Sequence, residues 1–487
     1  MSISRACSSG QLKLERSRKE HSPVGLRELT LILLSLFKAV ATIAARRRCN
    51  LRERAVAHTT APRLNLRPML WMVCIALAIR LAVVPFMLDE WMSPYNVAHY
   101  EQGNIAQALL AGKGFGSPFL SNQPSAVLPP VYPLIVAALF GIFGVHTAPA
   151  MIAVLALNCV FSALACIPVF LIARRSFGER VAIWSGWGWA LSPYGIYFSA
   201  EWAWSTHLLL LCLCWLVYLG QRMANSARPG RWAIFGALSG IAGLTEPSIL
   251  PVVSFLLILA MKQLAMHRVS PLRPAFIASA ALVATLSPWM IRNALVFHRF
   301  IPMRDSMGLE MYLGNTGNSL HWRSGDHHPN HDAKELAEYN EGELAYMDHK
   351  AAQAAAYINA HPRWYAWMTV RRALYLWTGY WSFNREYLAD EPLDPFNIPV
   401  ATGITLIAVV GLLFTWRENG FEAIRYGGVL LVYPFLYYFV HPEAYRMRPL
   451  DPLLVILGCN ALNHVLEQVE EPASELAGQL DVHEMAH

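Results

Sequence analysis

Apolar runs of about twenty residues recur along the chain, and each is long enough to cross a bilayer as a helix. The first clear run is 70–88, and polar loops separate it from the others. The pattern predicts an all-α polytopic membrane protein with about ten transmembrane helices. The remaining predicted spans are 151–173, 181–200, 205–220, 232–245, 249–266, 275–291, 398–416, 427–440 and 450–466.

Arginine and lysine cluster in the short loops, which places those loops and both chain ends in the cytoplasm. The apolar segment 128–144 is ambiguous on length alone. If it crossed the membrane, Arg174 and Arg175 would lie outside. We therefore expect a juxtamembrane helix there, within a large extracytoplasmic loop, 89–147. A second large external loop, 292–396, is helical in its second half and carries a tryptophan-rich interfacial segment.

Composition excludes a soluble protein. Of 487 residues, 55% are hydrophobic and 15% are charged, with a mean hydropathy of +0.33. The basic loops account for the net charge of +6, so no nucleic-acid partner is predicted, whereas membrane lipids are. The eight cysteines are scattered without metal-ligand spacing, which argues against both a disulfide framework and a zinc site.

The chain divides into three regions by composition. Residues 1–67 are basic and predicted to be cytoplasmic. Their apolar stretch, 29–45, is an interfacial helix, which we favour, an extra span, or part of an over-long start. A signal peptide is the weaker interpretation because no small-residue cleavage site follows. Residues 68–466 form the transmembrane domain. The acidic residues 467–487 are predicted to be a disordered tail.

The stretch 99–133 is the strongest candidate for chemistry. Glu101 begins a short amphipathic pattern that glycines end at Gly112 and Gly114. Pro129 and Pro130 then open the next apolar run. The pattern predicts a carboxylate on a short helix at the membrane surface, beside a glycine-rich turn.

This stretch carries a family resemblance. Glu101, the run Ile-Ala-Gln-Ala-Leu-Leu-Ala-Gly-Lys-Gly-Phe (105–115) and the later Pro-Pro-Val-Tyr-Pro (129–133) resemble the first extracytoplasmic loop of GT-C glycosyltransferases. Bacterial relatives of protein O-mannosyltransferases, the aminoarabinose transferase of lipid A and Rgt-type glycosyltransferases are the most similar in pattern. The resemblance implies a GT-C-like helix bundle in the plasma (inner) membrane, with its active site on the extracytoplasmic side.

The implied reaction transfers a sugar from a polyprenyl-phosphate donor to a lipid, glycan or protein acceptor, without a cofactor. A hydroxyl acceptor needs a general base, and a carboxylate at the membrane surface suits that role. The family's aspartate would fall near Ala98, so Glu101, Asp89 and Glu90 all remain candidates for the base. Glu201, at the outer end of a predicted span, is a possible second carboxylate. The alternative to a catalytic role is the same for each carboxylate: it is a solvated acid at the end of a helix.

Two further motifs resemble elements that GT-C relatives often carry. The first comprises Pro-Trp-x-x-Arg-Asn and the Gly-Asn that follows it, and the second is Tyr-Arg-Met-Arg-Pro. Arginine suits a lipid phosphate because its planar fork holds two oxygens at once. The alternatives are a headgroup anchor for the first motif and pairing with Glu443 or Asp451 for the second. The binding candidates are Arg292, Asn293, Glu310, Asn315, Tyr445, Arg446 and Arg448.

The residues His327, His328, His331 and Asp332 are metal-binding types, but they lie in a stretch rich in glycine, proline and asparagine. A flexible loop must be ordered before it can chelate, so we predict no bound metal and a solvated loop. Glu246 lies at another outer hairpin, where similar proteins often carry a basic residue.

Two other functional classes remain open. A polytopic transporter is one, although the apolar segments show no inverted repeat and no matched pair of broken helices. A non-catalytic protein of envelope assembly is the other, since large external loops suit it as well.

Overall fold

A computed structural model describes residues 66–119, 123–316, 327–390, 392, 394–440 and 444–484. The predicted interfacial helix at 29–45 lies outside the described residues. Within the described part the secondary structure is helical, apart from one isolated bridge between Gly116 and Pro124. The first ten helices are α1 Leu66–Trp91, α2 Pro94–His99, α3 Glu101–Leu110, α4 Val131–Phe143, α5 Ala148–Leu164, α6 Cys166–Phe177, α7 Glu179–Ala190, α8 Pro193–Glu201, α9 Thr206–Met223 and α10 Pro229–Gly243.

The second half continues with the same architecture. Its α-helices are α11 Leu250–Met266, α12 Leu272–Phe297, α13 Met307–Gly314, α14 Ala333–Glu341, α15 Glu343–Ala360, α16 Pro362–Thr378, α17 Arg385–Asp390, α18 Asp394–Glu418, α19 Gly420–Val432 and α20 Asp451–Glu484. Short 3-10 helices cover Pro247–Ile249, Tyr433–Tyr438 and Ala444–Leu450. Where the sequence predicts a disordered tail, the backbone of α20 continues as helix to Glu484. That segment is rich in Glu, Leu and Ala, which are good helix formers.

Seven helical segments of the described chain are long and apolar enough to span a membrane. They match seven of the predicted spans and confirm an all-α multi-pass membrane protein. The predicted spans at 181–200, 232–245 and 427–440 correspond to shorter helices. In the first of these, Ser192 caps a new helix with Pro193 at its start, which interrupts the run. The total of ten therefore stays a prediction. The seven segments are Arg67–Trp91, Ala148–Phe177, Thr206–Met223, Pro247–Met266, Leu272–Phe297, Asp394–Glu418 and Tyr445–Gln468.

The apolar segment 128–144, which the positions of the basic residues predict to lie at the outer surface, forms α4. Its 13 residues measure roughly 20 Å, too short for the roughly 30 Å hydrocarbon core. It packs against α3 and α5, burying Tyr132, Val136 and Phe140. This length agrees with a juxtamembrane helix.

Polar contacts join the two large loops, 89–147 and 292–396, that the sequence predicts to be external. The Glu343 carboxylate accepts hydrogen bonds from the backbone N–H of Ala126 at 2.6 Å and from the Tyr339 hydroxyl at 2.6 Å. The backbone N–H of Asp305 donates to the carbonyl of Ala126 at 2.8 Å. Burial raises the pKa of Glu343 above its usual range, although the Ser125 and Tyr339 side chains and the Ala126 N–H oppose that rise. The first loop therefore forms a fixed surface against the second.

Close packing of α13 on α15 requires a glycine. A side chain at Gly308 would place its Cβ 2.0 Å from the backbone oxygen of Met347, a distance that real Cβ atoms do not reach. Gly308 thus allows α13 to lie directly on α15, two residues before Glu310.

A buried arginine joins three helices near the middle of the first span. Arg80 is fully buried in α1 and donates to the Ser162 hydroxyl of α5 at 3.0 Å. It also donates to the carbonyls of Trp189 and Ala190, at 3.0 and 2.8 Å. These carbonyls lie in the last turn of α7, where intrahelical partners are missing. Arg80 therefore caps α7 from a neighbouring helix.

Replacing Arg80 tests this capping role. We expect Arg80→Gln to lower the free energy of unfolding by about 1–3 kcal/mol, because buried carbonyls lose their donors. Thermal unfolding of the detergent-purified protein would measure the loss. Arg273→Gln, at an exposed position near the start of α12, removes the same charge and should leave the melting temperature nearly unchanged. Equal effects of the two changes would contradict the capping role.

Candidate active site

A cavity of about 290 Å³ lies between the two large loops and the ends of several helices. The first loop contributes Glu101 from α3, and the second contributes Glu310 from α13. The start of α9 and the 3-10 helices near the last span complete the wall. The lining residues used below are His99, Glu101, Trp202, Glu246, Arg304, Glu310, His328, Asn330, His331, Tyr437, Tyr445 and Arg446.

Glu101 is the carboxylate that the first loop presents to this cavity. It is the first residue of α3, where the helix dipole favours a negative charge, and it is only 9% exposed. Its Oε1 accepts a hydrogen bond from Asn330 Nδ2 at 2.9 Å and lies 3.8 Å from His328 Nε2. The second loop therefore orients this side chain.

The other carboxylates proposed from the sequence lie outside the cavity wall. Asp89 and Glu90 are exposed near the end of α1. Glu201 ends α8, and its Oε1 accepts a hydrogen bond from the Tyr197 hydroxyl at 2.6 Å. Its neighbour Trp202 lines the cavity instead. Of the four candidate acids, Glu101 lines the cavity and the other three do not.

Four alternating charges form part of the wall, and we call them the charge chain. Arg304 Nη1 lies 3.2 Å from both carboxylate oxygens of Glu246, and its Nη2 lies 3.1 Å from Glu310 Oε1. Arg446 Nη2 is 3.1 Å from both oxygens of Glu310. Burial tends to lower the pKa of Arg304, but the two carboxylates outweigh it and raise that pKa. Arg304 therefore remains charged beside the cavity.

Arg304 was missed in the sequence because it stands in a loop with no motif around it. Glu246 was noted there without a role, and here it is the partner of Arg304. The acid Glu246 at its hairpin could have indicated a basic partner elsewhere in the chain, but only the fold identifies that partner as Arg304.

Arg292 holds the first loop in place, and neither Arg292 nor its neighbour Asn293 lines the cavity. Arg292 donates to the carbonyls of Ser125 and Phe115, at 2.8 and 3.0 Å. Its guanidinium also lies over the Trp289 ring, 4.8 Å from the centroid. Asn293 is buried and donates to the carbonyl of Ile301 at 3.0 Å.

Asn315 is likewise a buried connector, accepting from Arg372 Nη1 and donating to the Phe439 carbonyl, at 3.0 and 2.9 Å.

The Tyr-Arg-Met-Arg motif divides between two surroundings. Tyr445 lines the cavity and stacks on Trp202 with centroids 4.8 Å apart, and Arg446 belongs to the charge chain. Arg448 lies outside the wall, 3.4 Å from Asp451 and 4.4 Å from the centroid of the Tyr194 ring. The pairing with Asp451 that the sequence left open is thus present for Arg448, while Arg446 contacts Glu310.

The histidine-rich stretch is not the loop without fixed geometry that the sequence predicted. His328 and His331 line the cavity, and the ring of His328 packs edge-on against Phe119. The Tyr95 hydroxyl lies 2.8 Å from His331 Nδ1. Aromatic neighbours on the first loop order this stretch, and the sequence could not show that proximity. Among the described residues, no group of three or more His, Cys, Asp or Glu is arranged to hold a metal ion.

The family comparison agrees with the resemblance seen in the sequence. Residues 127–291 match the model of the family described as dolichyl-phosphate-mannose-protein mannosyltransferase. The matched stretch begins at the cavity wall of the first loop and ends within α12. The resemblance to GT-C membrane glycosyltransferases is confirmed for this part of the chain. None of the curated proteins matches the chain by sequence.

Solved structures of similar helical proteins include the oligosaccharyltransferase of Archaeoglobus fulgidus in the apo form. That comparison gives 12% identity and a TM-score of 0.48, covering 84% of this chain and 52% of that one. ArnT from Cupriavidus metallidurans, bound to undecaprenyl phosphate, gives 13% identity and a TM-score of 0.33, covering 82% of this chain and 78% of that one. The chain spans about half the length of the archaeal chains that it matches.

Proposed function

We propose that this chain is an integral membrane glycosyltransferase that uses a polyprenyl-phosphate-linked sugar. The acceptor is a lipid, glycan or protein on the extracytoplasmic face of the plasma (inner) membrane. The observation that carries the proposal is one cavity shared by the oriented carboxylate of Glu101 and the cations of the charge chain. The family match supports it, since that family is named for a lipid-phosphate sugar donor.

Glu101 is the general base in this proposal. The acceptor hydroxyl attacks the anomeric carbon of the sugar while its proton passes to the Glu101 carboxylate. The bond between that carbon and the phosphate oxygen breaks, and its electron pair leaves with the lipid phosphate. Asn330 keeps the base oriented through its hydrogen bond to Oε1. A carboxylate held in this way needs little rearrangement to take the proton.

The arginines of the charge chain stabilise the departing phosphate. Arg304 and Arg446 are positioned by Glu310, which contacts both. Their side chains are 17% and 12% exposed, so their field is less screened than at an open surface. Fixed cations aimed at developing negative charge lower the barrier for its release.

The lipid chain of the donor has a place beside these cations. A second cavity of about 260 Å³ shares Glu246, Arg304, Glu310 and Arg446 with the first. Its other lining residues are mostly apolar, and two of them are well exposed: Phe435 at 58% and Met307 at 48%. An apolar groove that opens outward beside cations suits a polyprenyl phosphate, with its tail in the groove and its phosphate at the charge chain.

Glu101→Gln tests the base. The change keeps shape and hydrogen bonding but cannot accept a proton, so we expect transfer to fall by about 10²-fold or more. The assay supplies labelled polyprenyl-phosphate sugars to the purified protein in membranes. Asp89→Asn and Glu90→Gln are matched controls and should stay active. If either abolishes transfer while Glu101→Gln stays active, the base lies at the end of α1. If no donor supports transfer by the unaltered protein, a transporter or assembly role is favoured.

Arg446→Gln tests the phosphate site against a neighbour of the same type. Losing a charge-assisted hydrogen bond to phosphate should weaken donor use by about tenfold or more in kcat/KM. Arg448→Gln is the control, because Arg448 lies outside the cavity beside Asp451. Donor use should fall only for Arg446→Gln. A larger loss of kcat/KM from Arg448→Gln would instead assign the phosphate site to the surface beside Arg448 and α8.

The orientation in the membrane is tested by cysteine labelling. In a background without native cysteines, we expect Ala111→Cys and Asn340→Cys to react with an impermeant thiol reagent in intact cells. Ala227→Cys, in the basic loop before α10, should be protected. All three positions are exposed in the structure, so burial does not decide the result. Labelling of Ala227→Cys alone would reverse the orientation and remove the extracytoplasmic assignment.

A further inference from the structure

A second polar site lies at the other end of the helix bundle from the catalytic cavity. The start of α9 lines that cavity at Thr206, whereas its last turn lines a separate pocket of about 350 Å³ at Gln221. At about 1.5 Å per residue, the two sites are roughly 20–25 Å apart along α9. We call this the polar pocket, and it is lined by Arg175, Gln221, Ala224, Asn225, Gln263, Asn419, Glu422 and Arg425.

The polar groups of this pocket are organised around one carboxylate. Glu422 pairs with Arg425, and its other oxygen accepts from Gln221 Nε2 at 2.9 Å. Arg425 is buried and also donates to Gln263 Oε1 at 2.7 Å. Glu422 is therefore the counterion of Arg425, and Arg175 adds a further positive charge to the wall. With its amide oxygen turned toward Arg175, Asn225 accepts from Nη2 at 3.2 Å.

One buried acceptor in the pocket has no donor. Gln221 is 1% exposed, and its Oε1 makes no hydrogen bond within the described part of the chain. A buried acceptor left unpaired is costly, so a bound group that donates to it would be favoured. Cations at the C-terminal ends of α6, α9 and α11 would suit the helix dipoles in any case. The helix dipoles therefore explain why cations gather at these helix ends. They explain neither the polar pocket nor the unpaired Oε1 of Gln221.

We propose that the polar pocket binds a phosphate group bearing a hydroxyl substituent. The phosphate oxygens accept hydrogen bonds from Arg175 and from the rim amide of Asn225, and the hydroxyl donates to Gln221 Oε1. This is the chemistry of a phosphatidylglycerol headgroup in the leaflet opposite the catalytic cavity, and equally of free glycerol phosphate. The basic loops around the pocket concentrate either anion near its entrance.

The test uses the full-length protein in nanodiscs of phosphatidylcholine, with and without phosphatidylglycerol. Native mass spectrometry measures retained phosphatidylglycerol, and titration with sn-glycerol 3-phosphate in pure phosphatidylcholine discs forms the soluble arm. We expect Arg175→Gln to weaken retention by about tenfold or more. Asn225→Asp, a change at an exposed loop position that adds repulsion, should weaken it as well. Arg228→Gln, which removes an exposed charge outside the pocket, should retain lipid like the unaltered protein.

The outcomes separate the two sources. Selective retention of phosphatidylglycerol that only the pocket variants lose supports a lipid site. Binding of glycerol phosphate alone, lost in the same variants, supports the phosphate site and assigns it to a soluble ligand. Absence of both kinds of binding overturns the proposal. Equal losses in Arg228→Gln and Arg175→Gln also overturn it, because they would show general attraction to a basic surface.

Discussion

The proposed catalytic cavity depends on the pairing of four charges that no single helix could keep buried alone. Glu246 follows α10, Arg304 follows α12, Glu310 lies in α13 and Arg446 precedes α20. Each partly buried charge requires an opposite neighbour, so the alternating order binds four segments into one wall. The close approach of α13 to α15 at Gly308 sets where Glu310 stands in that order. The helix packing at Gly308 and the ion pairs of the charge chain therefore both determine the position of Glu310.

The second loop completes the site from the opposite side. It is attached to the first loop because the Ala126 N–H donates to Glu343 and Gln123 donates to the Tyr339 carbonyl. Asn330 reaches Glu101 from the same loop. Glu101, the proposed base, is therefore oriented by a segment more than two hundred residues away in sequence. The histidine-rich stretch is packed because the two loops on either side of it are held together by contacts that do not involve its own side chains.

Much of the fold could be predicted from the sequence because apolar length and the placement of basic loops are local signals. Those signals located seven spans and the short outer helix α4. The interruption at Ser192 was harder to see, since the apolar run continues through it. Among the residues that line the cavity, Glu101 and Arg446 were named from the sequence because they stand in motifs. Arg304 and Asn330 were not, because their importance comes from partners distant in sequence. Arg292 and Asn315 look like ligand-binding residues in sequence but hold the backbone in place.

Arg80 has a consequence for the way the chain enters the membrane. An arginine near the centre of a span opposes insertion by about 2.5–3.5 kcal/mol when it has no partner. Apart from the Ala76 carbonyl in α1 itself, its acceptors lie far downstream, 82 residues later at Ser162 and 110 residues later at Ala190. When α1 leaves the ribosome, neither exists. We infer that α1 settles fully only after α5 and α7 have been made, so that its final placement comes later in biogenesis than its synthesis.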